Sequence, residues 1–211
     1  RDSFVLSKGH AVPALYSVLY NLGFIKKKEL LSFRDIGTKL QGHPDRTKLK
    51  YIELGTGALG QGLSVSIGFA LANIIKKIKK KSFCLIGDGE IQEGQIWEAA
   101  MYAGTHKLSN LCVILDNNKM QNETYTNKTL DIMPLNEKWR AFNWNVIEID
   151  GHSFNQINKA FNKFYLQKKK PTIIIANTVK GKGVSFMEDS PAWHSKVLDR
   201  TNYFIAKKEL I

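Results

Sequence analysis

The chain has 211 residues, 43% of them hydrophobic and 24% charged. That size and balance fit one soluble domain with a real core, and no apolar run approaches the roughly 20 residues of a membrane-spanning helix. The formal net charge of +12 admits an anionic partner, but the lysines fall in separate short runs at 26–28, 76–81 and 168–170, so the expectation is a lysine-rich solvated surface with no nucleic-acid and no membrane partner.

The opening, RDSFVLSKGH, has no initiator methionine and lacks the charged-then-apolar pattern of a signal peptide. The chain is therefore expected to be an N-terminally truncated segment of a longer product. AVPALYSVLYNLGF has apolar residues at helical spacing and stops at Gly23. A polar loop through DIGTKLQGHPDRTK leads to GTGALGQGLSVSIGFALANIIKKIKK. This stretch reads as a glycine-rich turn feeding a long helix, so apolar that burial on most sides is expected. SFCLIG (strand), GQIWEAAMYAGTHK (helix) and NLCVILDN (strand) follow. After a polar loop come LNEKWRAFN (helix), NVIEID (strand), SFNQINKAFNKFYLQ (helix) and PTIIIANT (strand). Apolar strands separated by helices of this length predict a parallel sheet with helices on both faces, a single α/β domain over 1–211. Cys84 and Cys112 lie inside apolar strands, which predicts two buried thiols and fits a reducing cytoplasm.

In such a sheet, ligands bind outside the carboxyl ends of the strands. LIGDGEIQEG puts Asp88 at one such end, between two glycines, and Asn117 and Asn118 end the next strand. One connecting helix and a right-handed crossover bring these ends together. A carboxylate, an amide oxygen and a backbone carbonyl converging there make an all-oxygen site suited to Mg²⁺. Gly87 and Gly89 leave room for a phosphate-bearing ligand to reach the main chain, and a helix starting near Gln92 aims its amides at the same place. The residues alone thus predict a Mg²⁺-bridged diphosphate; the plainer reading is a tight turn with an aspartate cap.

GDG followed by 28 residues and then Asn118 resembles the binding motif for thiamine diphosphate. FVLSKGHAVPALY, GHPD, GTGALGQGLSVSIG, GDGEIQEGQIWEAAMYAGTHKL, ILDNNKMQ, DGHS, TVKGKGVSFMED and AWH narrow the resemblance to transketolases, in order and over nearly the whole chain. The resemblance implies the thiamine diphosphate-binding fold, specifically its diphosphate-binding domain. It implies that Asp88, Asn118 and the Met120 carbonyl hold Mg²⁺, or Ca²⁺ or Mn²⁺ in its place. Gly89 and Lys180 would contact the diphosphate, and Gly57, Ala58 and Leu59 would line the cofactor. His10 would lie against the cofactor, and His43 would hydrogen-bond the donor sugar. His194 would face the diphosphate and the reacting carbon as proton donor or acceptor. Glu93 resembles the acidic residue of a carboxylate network across a subunit interface. His152 reads as a loop-fixing residue. Ala58, Met120 and Ser195 depart from the residues usual in the family.

The activity so implied is transfer of a two-carbon ketol unit between sugar phosphates of the pentose phosphate pathway, through a carbanion on the cofactor. In the family a glutamate on a pyrimidine-binding domain activates the aminopyrimidine, and nothing matching that domain is found here. The expected partner is therefore a C-terminal transketolase subunit carrying that domain, in a dimer or heterotetramer, with the chain inactive alone. Two alternatives stay open: a non-catalytic relative that binds the cofactor, and a subunit of another thiamine diphosphate enzyme, such as a deoxyxylulose phosphate synthase-like or E1 dehydrogenase-like protein.

Overall fold

A computed structural model describes residues 1–122 and 124–211. Five strands form one parallel sheet: β1 (Ser3–Leu6), β2 (Ser82–Gly87), β3 (Leu111–Asn117), β4 (Asn145–Asp150) and β5 (Thr172–Asn177), in the order β1-β2-β3-β5-β4. The helices are α1 (Val12–Asn21), α2 (Lys27–Leu31), α3 (Gln61–Ile75), α4 (Gly94–Thr105), α5 (Thr126–Thr129), α6 (Leu135–Ala141), α7 (Phe154–Leu166) and α8 (Arg200–Glu209). No helix among the described residues is long and apolar enough to cross a membrane.

The side-chain alternation of each strand divides the core between the two faces of the sheet. Cys84 and Ile86 of β2, Val113 and Leu115 of β3, and Ile173 and Ile175 of β5 point to one face, where they pack with Leu63 and Ala70 of α3, Ile96 and Ala100 of α4, and Trp139 of α6. Cys112, Ile174 and Ala176 point the other way, onto Ala160 and Phe164 of α7. The two free cysteines thus sit on opposite faces of the sheet, each buried. A third cluster joins Leu6 to Val12, Tyr16 and Leu19 of α1 and to Leu40, Leu49 and Ile52. The polar loop expected between the first two long helices therefore supplies core residues of its own.

The expected strands and the helices between them form within a few residues of their predicted bounds. Beyond them the fold has β1, α2, α5 and α8. Three of these have 4 or 5 residues, too short to show a period, and α8 buries only Ala206. The long apolar helix is corrected. It ends at Ile75 and buries one face, through Gly62, Leu63, Ser66, Ile67 and Ala70. Its outer face, with Gln61, Ser64, Gly68 and Ile75, is exposed. Ser64 and Gly68 put small residues at its middle.

Two helical glycines behave oppositely. A Cβ at Gly104 in α4 would overlap the Phe142 carbonyl, whereas a Cβ at Gly68 in α3 would meet no atom within 4 Å among the described residues. Urea unfolding of the isolated chain is therefore expected to show Gly104→Ala destabilising by about 1–3 kcal/mol from overpacking. Gly68→Ala is expected to stabilise by about 0.5–1 kcal/mol from helix propensity. Equal effects at the two positions would contradict this packing.

Candidate functional site

Since the strands are parallel, the segments that leave β1, β2, β3 and β5 all emerge along one edge. Lys8 and His10 follow β1, Asp88 to Glu93 follow β2, Asn118 and Met120 follow β3, and Lys180 follows β5. A cavity of about 300 Å³ opens among them, lined by Lys8, His10, Leu59, Asp88, Gly89, Glu90, Glu93, Asn118, Met120, Lys180 and His194. It adjoins a larger trough of about 620 Å³ that shares Lys8, His10, Asn118, Lys180 and His194 and runs over an apolar floor including Leu85, Ile114 and Ile174.

Asp88 is 2% exposed. Its Oδ1 accepts from the Gly89 amide at 2.7 Å, and its Oδ2 accepts from the Lys119 amide. Burial pushes its carboxyl up to about 6, against the pull of those two amides, with Asp116 adding to the rise and Lys8 opposing it. Asn118 Oδ1 accepts from the Met120 amide at 3.0 Å, so the turn after β3 closes on itself. Its Nδ2 donates to Asp116 Oδ2 at 3.4 Å. Asn117, the other asparagine at this strand end, points away: its Nδ2 donates to Asn177 Oδ1 at 2.7 Å. Only Asn118 of the pair reaches the cavity.

The cationic wall is compact. Lys8 Nζ meets Asp116 Oδ2 at 2.6 Å with both groups largely out of water. Burial would raise Asp116, but Lys8, together with hydrogen bonds from Thr178 and Asn118, holds it below the usual carboxylate range. Lys180 Nζ lies 2.9 Å from His194 Nδ1. An ammonium can only donate, so Nδ1 accepts and the neutral ring carries its proton on Nε2. His10 stacks on His194 with ring centroids 5.2 Å apart. His10 keeps an exposed edge; partial burial, then the charges of Lys8, His194, Lys180 and His43, brings it down to about 4. Burial and the two lysines lower His194 as well. Lys180 is lowered by burial and Lys8, with Asp116 and Asp88 pulling it back.

The other expected residues take varied places. Leu59 lines the cavity and Glu93 stands exposed at its mouth, at the position capping α4. Gly57 and His43 pair beyond the rim, where a Cβ at Gly57 would lie 3.6 Å from the His43 ring. Ala58 is exposed. His152 Nε2 accepts from the Val179 amide at 2.8 Å, the loop-fixing role expected of it. The reason for the glycines around Asp88 is revised. A Cβ at Gly89 would press within 3.0 Å of the Gln121 Cβ, and one at Gly87 would make ordinary contact with the Lys8 stem at 3.6 Å. Gly89 thus admits the neighbouring loop as well as any ligand. The helix start expected near Gln92 lies at Gly94, after a single tight turn over Glu90–Gln92. Sequence reasoning missed Ser7, Lys8, Glu90, Asp116 and Thr178. All five stand inside the family motifs, and the charge of Lys8, Glu90 and Asp116 at strand ends was the available signal.

The donor set fits a hard cation. Asp88 is a buried carboxylate whose contacts are backbone amides, and Asn118 and Met120 line the same cavity. One carboxylate, one amide and one carbonyl form no cluster of three His, Cys, Asp or Glu residues, and none occurs among the described residues.

The pH dependence has two opposed parts. His10 protonates less readily folded than unfolded, so its contribution to stability is lost as pH falls from 6.5 towards 4. Asp88 binds its proton more readily folded, so stability is gained as pH falls from about 6 towards 3.8. Asp88→Asn is accordingly expected to abolish that acid gain. At pH 7, relief of the buried charge is offset by one lost amide hydrogen bond and an NH₂ group facing a backbone amide, leaving the unloaded chain within about 1 kcal/mol of the unaltered one. His10→Gln is expected to blunt the acid loss by about 1 kcal/mol, allowing for solvent screening of the ring. Urea unfolding at pH 7 and pH 5 measures both.

Comparison with known proteins agrees with this geometry. Residues 1–210 match the family described as transketolase, thiamine diphosphate binding domain. A 6-deoxy-6-sulfo-D-fructose transketolase subunit of Clostridium sp. (strain MSTE9) is 43% identical over 210 residues, which span 100% of this chain and 76% of that protein. An apulose-4-phosphate transketolase subunit of Phocaeicola vulgatus is 41% identical, over 100% of this chain and 74% of its own length. The crystal structure of transketolase from Campylobacter jejuni superposes with a TM-score of 0.94 at 35% identity, covering 100% of this chain and 34% of that one. The chain thus spans about three quarters of the two subunits and about a third of the longer transketolase. Family match and superposition agree: the chain belongs to the transketolase family and matches its thiamine diphosphate binding domain.

Proposed function

We propose that the chain holds the diphosphate end of thiamine diphosphate, with a divalent cation, and transfers a two-carbon ketol unit between sugar phosphates once a partner completes the site. The observation that carries this is one cavity in which the acidic and amide donors Asp88 and Asn118 face the basic groups Lys180, His10 and His194. A bridged anion needs both walls: oxygen donors for the cation and fixed positive charge for the phosphate oxygens. Asp88, Asn118 and the Met120 carbonyl would hold Mg²⁺, with Ca²⁺ or Mn²⁺ as replacements. Gly89 and Lys180 would meet the diphosphate, and Leu59, with Gly57 and Ala58 behind it, would flank the cofactor. Bound thiamine diphosphate supplies the carbon centre that stores the electron pair during ketol transfer.

The chain's own groups do the rest. His194 would present its Nε2–H to a developing alkoxide while the Lys180 ammonium donates to Nδ1. As the Nε2 proton moves to the alkoxide, the lysine proton moves to Nδ1 and the ring stays neutral, both returning in the reverse step. His10, kept neutral near pH 7, packs beside it without adding charge. His43, on the exposed rim, would meet the sugar. The relatives are named for a sulfonated fructose and for apulose 4-phosphate; a ketose with a terminal anionic group is the donor class this reading adopts, with the non-oxidative pentose phosphate pathway as its setting.

The partner would be a second polypeptide or domain that binds the aminopyrimidine, in a dimer or heterotetramer. Glu93 is exposed at the cavity mouth, and beside it lie the outer face of α3 and exposed Met101 and Tyr102 on α4. These surfaces are placed to be covered together. A reducing cytoplasm suits the two free, buried cysteines.

Pull-down from the native extract, with mass spectrometry and a ketol-transfer assay containing thiamine diphosphate and Mg²⁺, tests this. A second polypeptide with a pyrimidine-binding domain should be recovered, with activity only in the complex. Asp88→Ala should abolish transfer, and Lys180→Ala should weaken cofactor binding about tenfold. An inactive chain recovered alone and unable to bind the cofactor would defeat the proposal.

A further inference from the structure

Glu90 is 2% exposed, and its hydrogen-bond partners are all uncharged. Its Oε1 accepts from the Ser7 hydroxyl and from the Gly60 amide at 2.9 Å, and its Oε2 accepts from the Gly87 amide at 3.0 Å. The donors come from the residue after β1, the residue before α3 and the last residue of β2. Ser7 in turn accepts from the Gly62 amide at 3.1 Å. A Cβ at Gly62 would overlap Ser7, so α3 starts against that hydroxyl.

Burying a carboxylate is costly unless its lone pairs are used. Packing alone would be served as well by an apolar side chain. What a carboxylate adds is acceptor capacity on both oxygens at once, joining several donors at fixed distances. The segments it joins both contribute to the lining of the cavity. Gly60 ends the loop of Gly57, Ala58 and Leu59, and Gly87 opens the turn that carries Asp88 and Gly89. The first segment cannot shift by itself: Gly60 has φ of +82° and packs on Gln95. The Gln95 Nε2 also donates to the Leu59 carbonyl at 3.2 Å.

We propose that Glu90 is a positioning residue of the cofactor site, setting through Ser7, Gly60 and Gly87 the separation between the Leu59 loop and the Asp88–Gly89 turn, two segments that line the diphosphate's cavity. The inference rests on the cofactor reading above. Glutamine cannot take the role, because it has one acceptor oxygen and its NH₂ group would face a donor on the other side.

The test compares Glu90→Gln and Ser7→Ala with Phe164→Leu, a stability control on the opposite face of the sheet. Each is isolated with any subunit that accompanies it. Thiamine diphosphate affinity in Mg²⁺ is measured by calorimetry, beside the thermal midpoint. Glu90→Gln should weaken binding about tenfold or more and Ser7→Ala about threefold. Phe164→Leu should lower the midpoint and leave affinity unchanged. Unaltered affinity in Glu90→Gln, with only a lower midpoint, would make Glu90 a folding residue and overturn the inference. If Glu90→Gln does not fold, Ser7→Ala decides by the same criterion. Failure of the unaltered protein to bind would bring down the cofactor reading, and this inference with it.

Discussion

Lys8 and Asp116 are 108 residues apart in the chain and 2.6 Å apart in space, and their ion pair ties the ends of β1 and β3 into one floor. Asp116 also accepts from Thr178, just beyond β5, and from the Asn118 amide. Three strand ends are thereby held around one carboxylate. Buried pairs of this kind add little net stability, because desolvation offsets the attraction. Removing one member, however, would strand a charge out of water. The arrangement is therefore specific: each strand end must arrive where its partner charge is, or the sheet edge cannot close.

Parallel pairing makes that convergence possible. Antiparallel neighbours would send alternate strand ends to opposite edges, and Asp88 and Asn118 would lie a strand length apart. Here the register sets Gly87 beside Asp116, and Asp116 beside Ala176. Right-handed crossovers then return each connection over the sheet, and polar side chains collect where the backbone leaves the ladder.

Much of this was legible in the sequence, since the strands are long, apolar and separated by periodic helices. Asp88 and Asn118 were legible because a carboxylate between glycines and an asparagine pair stood at two successive strand ends. What was hidden depends on three-dimensional proximity alone. Nothing in a string of residues pairs Lys8 with Asp116, or Ser7 with Glu90. The outer face of α3 misled for a related reason: Gly68, Ile74 and Ile75 are apolar by type, so the helix reads as wholly buried although the packed chain covers one face. The glycine at 89 misled by having two reasons to be small, of which one, the approach of Gln121, belongs to the protein itself.

The stacked histidines beside the lysines have a further consequence. On the proposed reading, attraction for an anion would come from the ammonium groups, while burial and those same charges lower both rings. Capture and proton exchange would then fall to different residues. A drift in cellular acidity of a few tenths of a pH unit around neutrality would leave the charge on His10 almost unchanged, since that ring is brought down to about 4. An enzyme whose histidines served both purposes would trade ligand retention against turnover with every such drift; the proposed division of labour would avoid that coupling.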